Sequence, residues 1–170
     1  MRLYSGKIPA IATELIRKLK EDGDIEVNDG HEAQLDLEAV LKEYMRLDRE
    51  LTEQAKDLME RRRLPYEQFG KLKRDLADKK EFVTGDESVG YITNQILEAL
   101  MHSRFVDEVF TDDVELRKKV QALLRKHMQV DSDVDQEVRR RIKNLQEGTA
   151  TWEIEYQRVM ETIRQKHKLD

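Results

Sequence analysis

The chain has 170 residues, 38% hydrophobic and 39% charged, with a formal net charge of −5; that acidic balance supplies no general attraction to nucleic acid or to an anionic membrane. It contains no cysteine, which excludes disulfides, thiolate zinc sites and cysteine nucleophiles. Seven glycines and two prolines beside that charged fraction, against roughly 25% charge in ordinary globular chains, favour long amphipathic helices over a turn-rich β protein.

In chain order, Met1–Lys20 lacks an apolar stretch ending in a small-residue cleavage site, and no uncharged apolar run approaches the ~20 residues of a membrane span. A cytoplasmic, all-α protein with no membrane partner is expected. The first helix is predicted from about Pro9 to Asp22, Pro9 suiting the first turn and Gly23 the position past the end. The acidic connector Asp24-Ile25-Glu26-Val27 follows, too brief to anchor a sheet. Asp29-x-x-Glu32 then reads as an N-capping box, in which the Asp oxygen accepts from a free backbone N–H.

The box opens a long helical stretch from Gly30 to Arg63. Leu37, Leu41, Tyr44, Leu51, Ala55 and Leu58 recur there at heptad-like spacing. A single helix of that length spans ~50 Å, whereas a compact unit of half this chain is only ~30 Å across. The stretch is therefore expected to break or bend, or to protrude and need a partner. An acid within the apolar seam marks the natural break, but Asp48-Arg49-Glu50-Leu51 is the weaker stop of the two halves and is equally compatible with a continuous helix. A last helix of this half starts near Pro65.

The same order then recurs. A helix is predicted from Ser88 to His102, a connector from Phe105 to Phe110, a box at Asp112-x-x-Glu115, a long stretch, and a final helix from Ala150 after Gly148. Ile11, Leu15 and Leu19 match Ile92, Ile96 and Leu100, 81 positions on; Leu37, Leu41, Met45 and Asp48 match Val120, Leu124, Met128 and Asp131 at 83; Phe69, Leu72 and Leu76 match Tyr156, Val159 and Ile163 at 87. The two boxes share the offset of 83, a polar coincidence that apolar periodicity alone does not explain. Two tandem units follow, 1–83 and 91–170, with a linker at 84–90. Asp131-Ser132-Asp133-Val134-Asp135-Gln136 reads as a helix restart, with Asp133 and Gln136 as a second box.

Gln146-Glu147-Gly148-Thr149-Ala150-Thr151-Trp152-Glu153-Ile154-Glu155-Tyr156, with Val138-Arg139-Arg140-Arg141-Ile142 and the opening Met1-Arg2-Leu3, resembles the bacterial family called domain of unknown function 507. The resemblance implies an N-terminal helix, an acidic connector, a long helical stretch and a final Gly-x-x-x-Trp-Glu-x-x-Tyr helix, in members of about one unit. The second half follows that layout; the first replaces the Trp segment with Leu64-Pro65-Tyr66-Glu67-Gln68-Phe69 and resembles a diverged copy. No activity, cofactor or site residue is implied. Independently, Trp152, Tyr156, Val159 and Ile163 share one helical face, which reads as core packing.

The candidate chemistry is sparse. Asp131-x-Asp133-x-Asp135 imitates a calcium loop, but Gln136 and Ile142 stand where glycine and glutamate are required. His31, His102, His127 and His167 show no metal-ligand spacing; His127 replaces Tyr44 on the seam, as a hydrogen-bonded packing residue that can make unit docking sensitive to pH. No phosphate loop or nucleophile motif occurs, so no enzyme, cofactor or metal is expected. Charge distribution says more: Glu21–Glu38 holds eight acids and no Lys or Arg, whereas Arg61–Lys80 holds eight bases against three acids. Arg61, Arg62, Arg63, Lys71, Lys73 and Arg74 are the candidate partner-binding residues. The leading expectation is a non-catalytic module for protein interaction or self-association. RNA or DNA binding through the same corner is the alternative, weakened by having only Tyr66 and Phe69 nearby for stacking.

Overall fold

The computed structural model describes residues 3–147 and 149–167, with backbone alone at Val130, Asp131, Ser132 and His167. The expectations placed on Gly148, on the opening Met1-Arg2, on the Asp131 carboxylate and on the His167 imidazole lie outside the described residues. In order, the elements are α1 (Ile8–Glu21), β1 (Ile25–Val27), α2 (Gly30–Arg62), α3 (Phe69–Lys79), α4 (Ser88–His102), β2 (Val106–Val109), α5 (Asp113–Arg141) and α6 (Ala150–His167). The fold is all-α, with one short two-stranded ribbon.

The helix boundaries follow from local chemistry. The Asp29 carboxylate accepts from the Glu32 backbone N–H at 3.1 Å, and Asp112 does the same for Glu115 at 3.0 Å, so both capping aspartates open their helices as the spacing predicts. α1 ends with Gly23 at φ 74, where the Asp24 N–H reaches the Leu19 carbonyl at 2.9 Å. α2 ends the same way at Arg63, φ 51, with the Leu64 N–H on the Met59 carbonyl at 3.0 Å. Such a left-handed residue costs little as glycine and more as arginine.

Helices α1, α2, α4 and α5 form a four-helix ring around one core. Ile8, Ile11, Leu15 and Leu19 enter it from α1, Leu37 and Leu41 from α2, Ile92, Ile96 and Leu100 from α4, and Val120, Leu124 and Met128 from α5. The core is continuous across both halves of the sequence. The connectors contribute as well. β1 and β2 pair with each other, antiparallel, with Ile25 opposite Val109 and Glu26 opposite Glu108, and an irregularity follows Glu26. Neither connector could form a sheet alone; each supplies the other's partner. This pairing gathers the C-termini of α1 and α4 and the N-termini of α2 and α5 at one end of the molecule.

The expected helix restart at Asp131–Gln136 does not occur. α5 runs unbroken for 29 residues and α2 for 33. Asp133 accepts from the Gln129 side chain one turn back, at 3.1 Å, instead of capping a new helix. Asp48 stays inside α2 because its carboxylate is neither buried nor alone: its side chain is 38% exposed and meets Lys73 Nζ from α3 at 2.8 Å. The excess helix length is covered by the chain itself, since α3 packs on the far half of α2 and α6 on the far half of α5. Val134, Val138, Ile142, Tyr156, Met160 and Ile163 there form a second buried cluster, apart from the main core.

Candidate interaction surface

The basic corner is built by the end of α2, the turn after it, and α3. Its six predicted residues divide into two groups. Lys73 points inward, half-buried, onto Asp48. Beside it, Lys80 bonds Glu50 at 2.8 Å and holds that carboxyl below the usual range. Those two lysines serve the fold. Arg61, Arg62, Arg63, Lys71 and Arg74 are exposed, and among the described residues none has an ion-pair partner. Lys71 and Arg74 share the outer face of α3 with the exposed Asp75 and Asp78. The uncompensated charge therefore concentrates on three consecutive arginines at the α2 carboxyl end, where the helix dipole favours cations.

Behind the arginines the turn carries an aromatic pair. Tyr66 and Phe69 stack almost parallel, rings 5.8 Å apart. Phe69, placed in the core by its sequence pattern, is only half-buried. Burial, and then the nearby Glu147 carboxylate, push the Tyr66 hydroxyl up to about 12. Lys56 of α2 also bonds Glu153 of α6 at 2.7 Å. The α2 terminus is thus anchored against the α5–α6 corner.

That second corner shows what becomes of the other arginine run. Arg139 donates to Asp135 at 2.9 Å and to Glu147 at 2.7 Å, and its guanidinium lies 5.3 Å from the Trp152 ring centre. Burial opposes its charge, but the bonds to Glu147 and Asp135 outweigh it and raise its pKa. Arg141 pairs with Glu137 along the helix. Trp152 stacks on Tyr156 at 4.9 Å, and the Tyr156 hydroxyl meets both Asp135 and, at 2.9 Å, the Tyr4 hydroxyl. The aromatic face is packing, tied to the N-terminal segment.

At the opposite end, the ribbon places Glu26 and Glu108 directly across from each other. Both are exposed, and among the described residues neither carboxylate has a side-chain hydrogen bond or ion pair. Other acids there are engaged: Asp24 bonds Lys119 at 2.6 Å, Asp36 accepts from Ser103 at 2.5 Å, and Asp107 accepts from Asn28 at 2.7 Å. Phe110 and Val114, 62% and 60% exposed, flank the ribbon.

Two further sites lie along the bundle. Where α1 meets α5, His127 Nε2 sits 2.6 Å from Glu14, with Lys126 at 3.1 Å on the same carboxylate. The His127 bond holds the Glu14 carboxyl below its usual range. Where α2 meets α4, the matching position is Tyr44, whose hydroxyl donates to the Val83 carbonyl at 3.1 Å and whose ring stacks on Phe82 at 4.9 Å. A shallow groove beside it is lined by Val40, Glu43, Tyr44, Leu47, Tyr91 and Gln95, and Glu43 is held by Arg46 at 2.8 Å. Among the described residues no group of three or more histidines or acids has a metal-binding arrangement, and no helix is long and apolar enough to cross a membrane.

Sequence reasoning missed the internal use of Lys73 and the pairing of the two connectors. The first was signalled by Asp48 in an apolar stripe, which required a counter-ion from another helix. No curated protein matches the chain. A single family model covers both halves together, and by that match over residues 1–169 the chain belongs to the family described as Protein of unknown function (DUF507).

Proposed function

We infer that this chain is a non-catalytic helical interaction module of the cytoplasm whose contact surface is the arginine end of α2, Arg61, Arg62 and Arg63, with Lys71 and Arg74 beside it, and whose partner is an acidic protein surface. One observation carries the reading: these side chains stand exposed without ion-pair partners among the described residues, on a turn braced by Tyr66, Phe69 and Glu147. Lys73, Lys80, Lys119 and Arg139 are by contrast all committed inside the fold. Binding of a fluorescent polyglutamate peptide measures it. Wild type should bind at low salt, weaken as salt rises, and lose binding in an Arg61→Glu/Arg62→Glu/Arg63→Glu variant. Binding of single-stranded RNA with no binding of the peptide would reverse the assignment in favour of nucleic acid.

The internal repeat belongs to the same reading. The halves arose from one helical unit, with the first diverged, and the division falls at 84–90. Support comes from the repeated order of helix, strand, long helix and final helix, and from two capping aspartates in matching places. A backbone superposition that put Asp29 and Asp112 out of register would remove it.

A further inference from the structure

We propose that the partner of the arginine end is the acidic ribbon end of a second copy of this chain, so that molecules associate head to tail; this rests on the interaction reading above and adds the identity of the partner.

Charge is unevenly arranged along the two long helices. The β1–β2 pairing puts the N-termini of α2 and α5 at the same end, so the two helices run in the same general direction. α2 alone has 33 residues, about 50 Å at ~1.5 Å each. Arg61, Arg62 and Arg63 close its far end, and Glu26, Asp29 and Glu32 stand at its start. Screening reduces such interactions beyond ~10 Å at ~0.1 M salt. The arginines of one molecule therefore cannot neutralise its own ribbon acids. Arginines of another molecule can reach them.

The ribbon end has features suited to arginine in particular. Glu26 and Glu108 are directly opposed on one face of the two-stranded sheet, an arrangement that like charges disfavour. Both are exposed and, among the described residues, unpaired. A guanidinium, planar and with five donors, can bridge two neighbouring carboxylates and relieve that repulsion. Phe110 and Val114 beside the ribbon are exposed apolar surface, on which arginine stems can lie and over whose aromatic ring a guanidinium can stack. The two surfaces are different and sit at opposite ends. Their contact is therefore heterologous, and repeated use gives an open chain of molecules or a closed ring rather than a two-fold dimer.

Sedimentation velocity and light scattering on the full chain test this at ~50 mM and ~500 mM salt across a concentration series. Wild type should exceed the 20.2 kDa monomer mass at low salt, grow with concentration, and return to monomer at high salt. Two variants each disable one end. Arg61→Glu/Arg62→Glu/Arg63→Glu reverses the arginines. Glu108→Lys turns the like-charge pair with Glu26 into an opposite-charge pair, which favours the ribbon and keeps the fold intact. Each variant alone should remain monomeric. Mixed in equal amounts they retain one working pair of surfaces, and the mass should double and then stop rising. A wild type that stays monomeric at ~50 mM salt overturns the inference, as does association that persists at high salt or in either variant. If polyglutamate still binds the monomeric wild type and not the arginine variant, the interaction reading stands and the partner is another acidic protein. If only RNA binds, both fall.

Discussion

Glu14 and His127 show how the residue placed at a helix seam decides what that seam can do. At the α2–α4 seam, Tyr44 is buried against Phe82, and burial pushes its hydroxyl up to about 12. Tyr44 itself therefore does not titrate in the ordinary pH range. At the α1–α5 seam the corresponding residue is His127, bonded to Glu14. The sequence made His127 legible as a hydrogen-bonded seam residue, because an imidazole among apolar heptad positions needs a partner. It did not reveal Glu14, which lies more than a hundred residues earlier. The Glu14 carboxyl is held below its ordinary 4.5, chiefly by the His127 bond. A depressed carboxyl contributes stability that is complete above the unfolded value and is lost as pH falls through the folded one. Chemical denaturation from pH 7 down to about pH 3 should therefore show Glu14→Gln less stable than wild type at neutral pH, with the difference shrinking in acid. A gap that stays constant or widens as pH falls would mean that the pair contributes no such linkage.

Among the elements, the capping aspartates and the helix order were legible because each rests on local chemistry. An aspartate before an apolar run has few other ways to satisfy a helix N-terminus, and both aspartates do so in the same geometry. A continuous α2 was one of the expectations, but the continuity of α5 was not legible, because it is supported by α6 folding back. Without Lys73 reaching Asp48, an acid in the stripe reads as a stop. The ribbon was hidden for the same reason, since its two strands lie about eighty residues apart and each is too short to announce itself. The caps give a quantitative expectation. Asp29→Ala and Asp112→Ala should each cost about 1 kcal/mol by urea denaturation. They lie on separate helices with separate bonds, so the double variant should lose roughly the sum, within ~0.5 kcal/mol. A double variant no worse than either single one would show the two helix starts to be a single coupled unit.

For the whole molecule, the basic corner was legible as a composition contrast, but which cations it leaves available was not: that required knowing that Lys73 and Lys80 are consumed by α2. The same folding back of α3 and α6 creates a difference in stability between levels of the structure. The main core draws on four helices and both halves of the sequence, whereas the second cluster is essentially an α5–α6 hairpin held further by Tyr4 and by Lys56. Regions with a small core of their own open at lower free energy than the body that carries them. Ile163 is fully buried in the second cluster and Ile92 in the first. Truncating either to alanine removes comparable apolar volume, worth about 2–5 kcal/mol. The consequences should differ in extent. Ile92→Ala should lower amide protection throughout α1, α2, α4 and α5. Ile163→Ala should speed hydrogen exchange in α6 and in α5 beyond Val134, while amides of α1 and α4 keep nearly their wild-type protection. Equal loss everywhere in the Ile163 variant would show that the hairpin and the four-helix ring unfold as one body. The arginine end would then rest on a platform as stable as the core, not on one that can loosen independently.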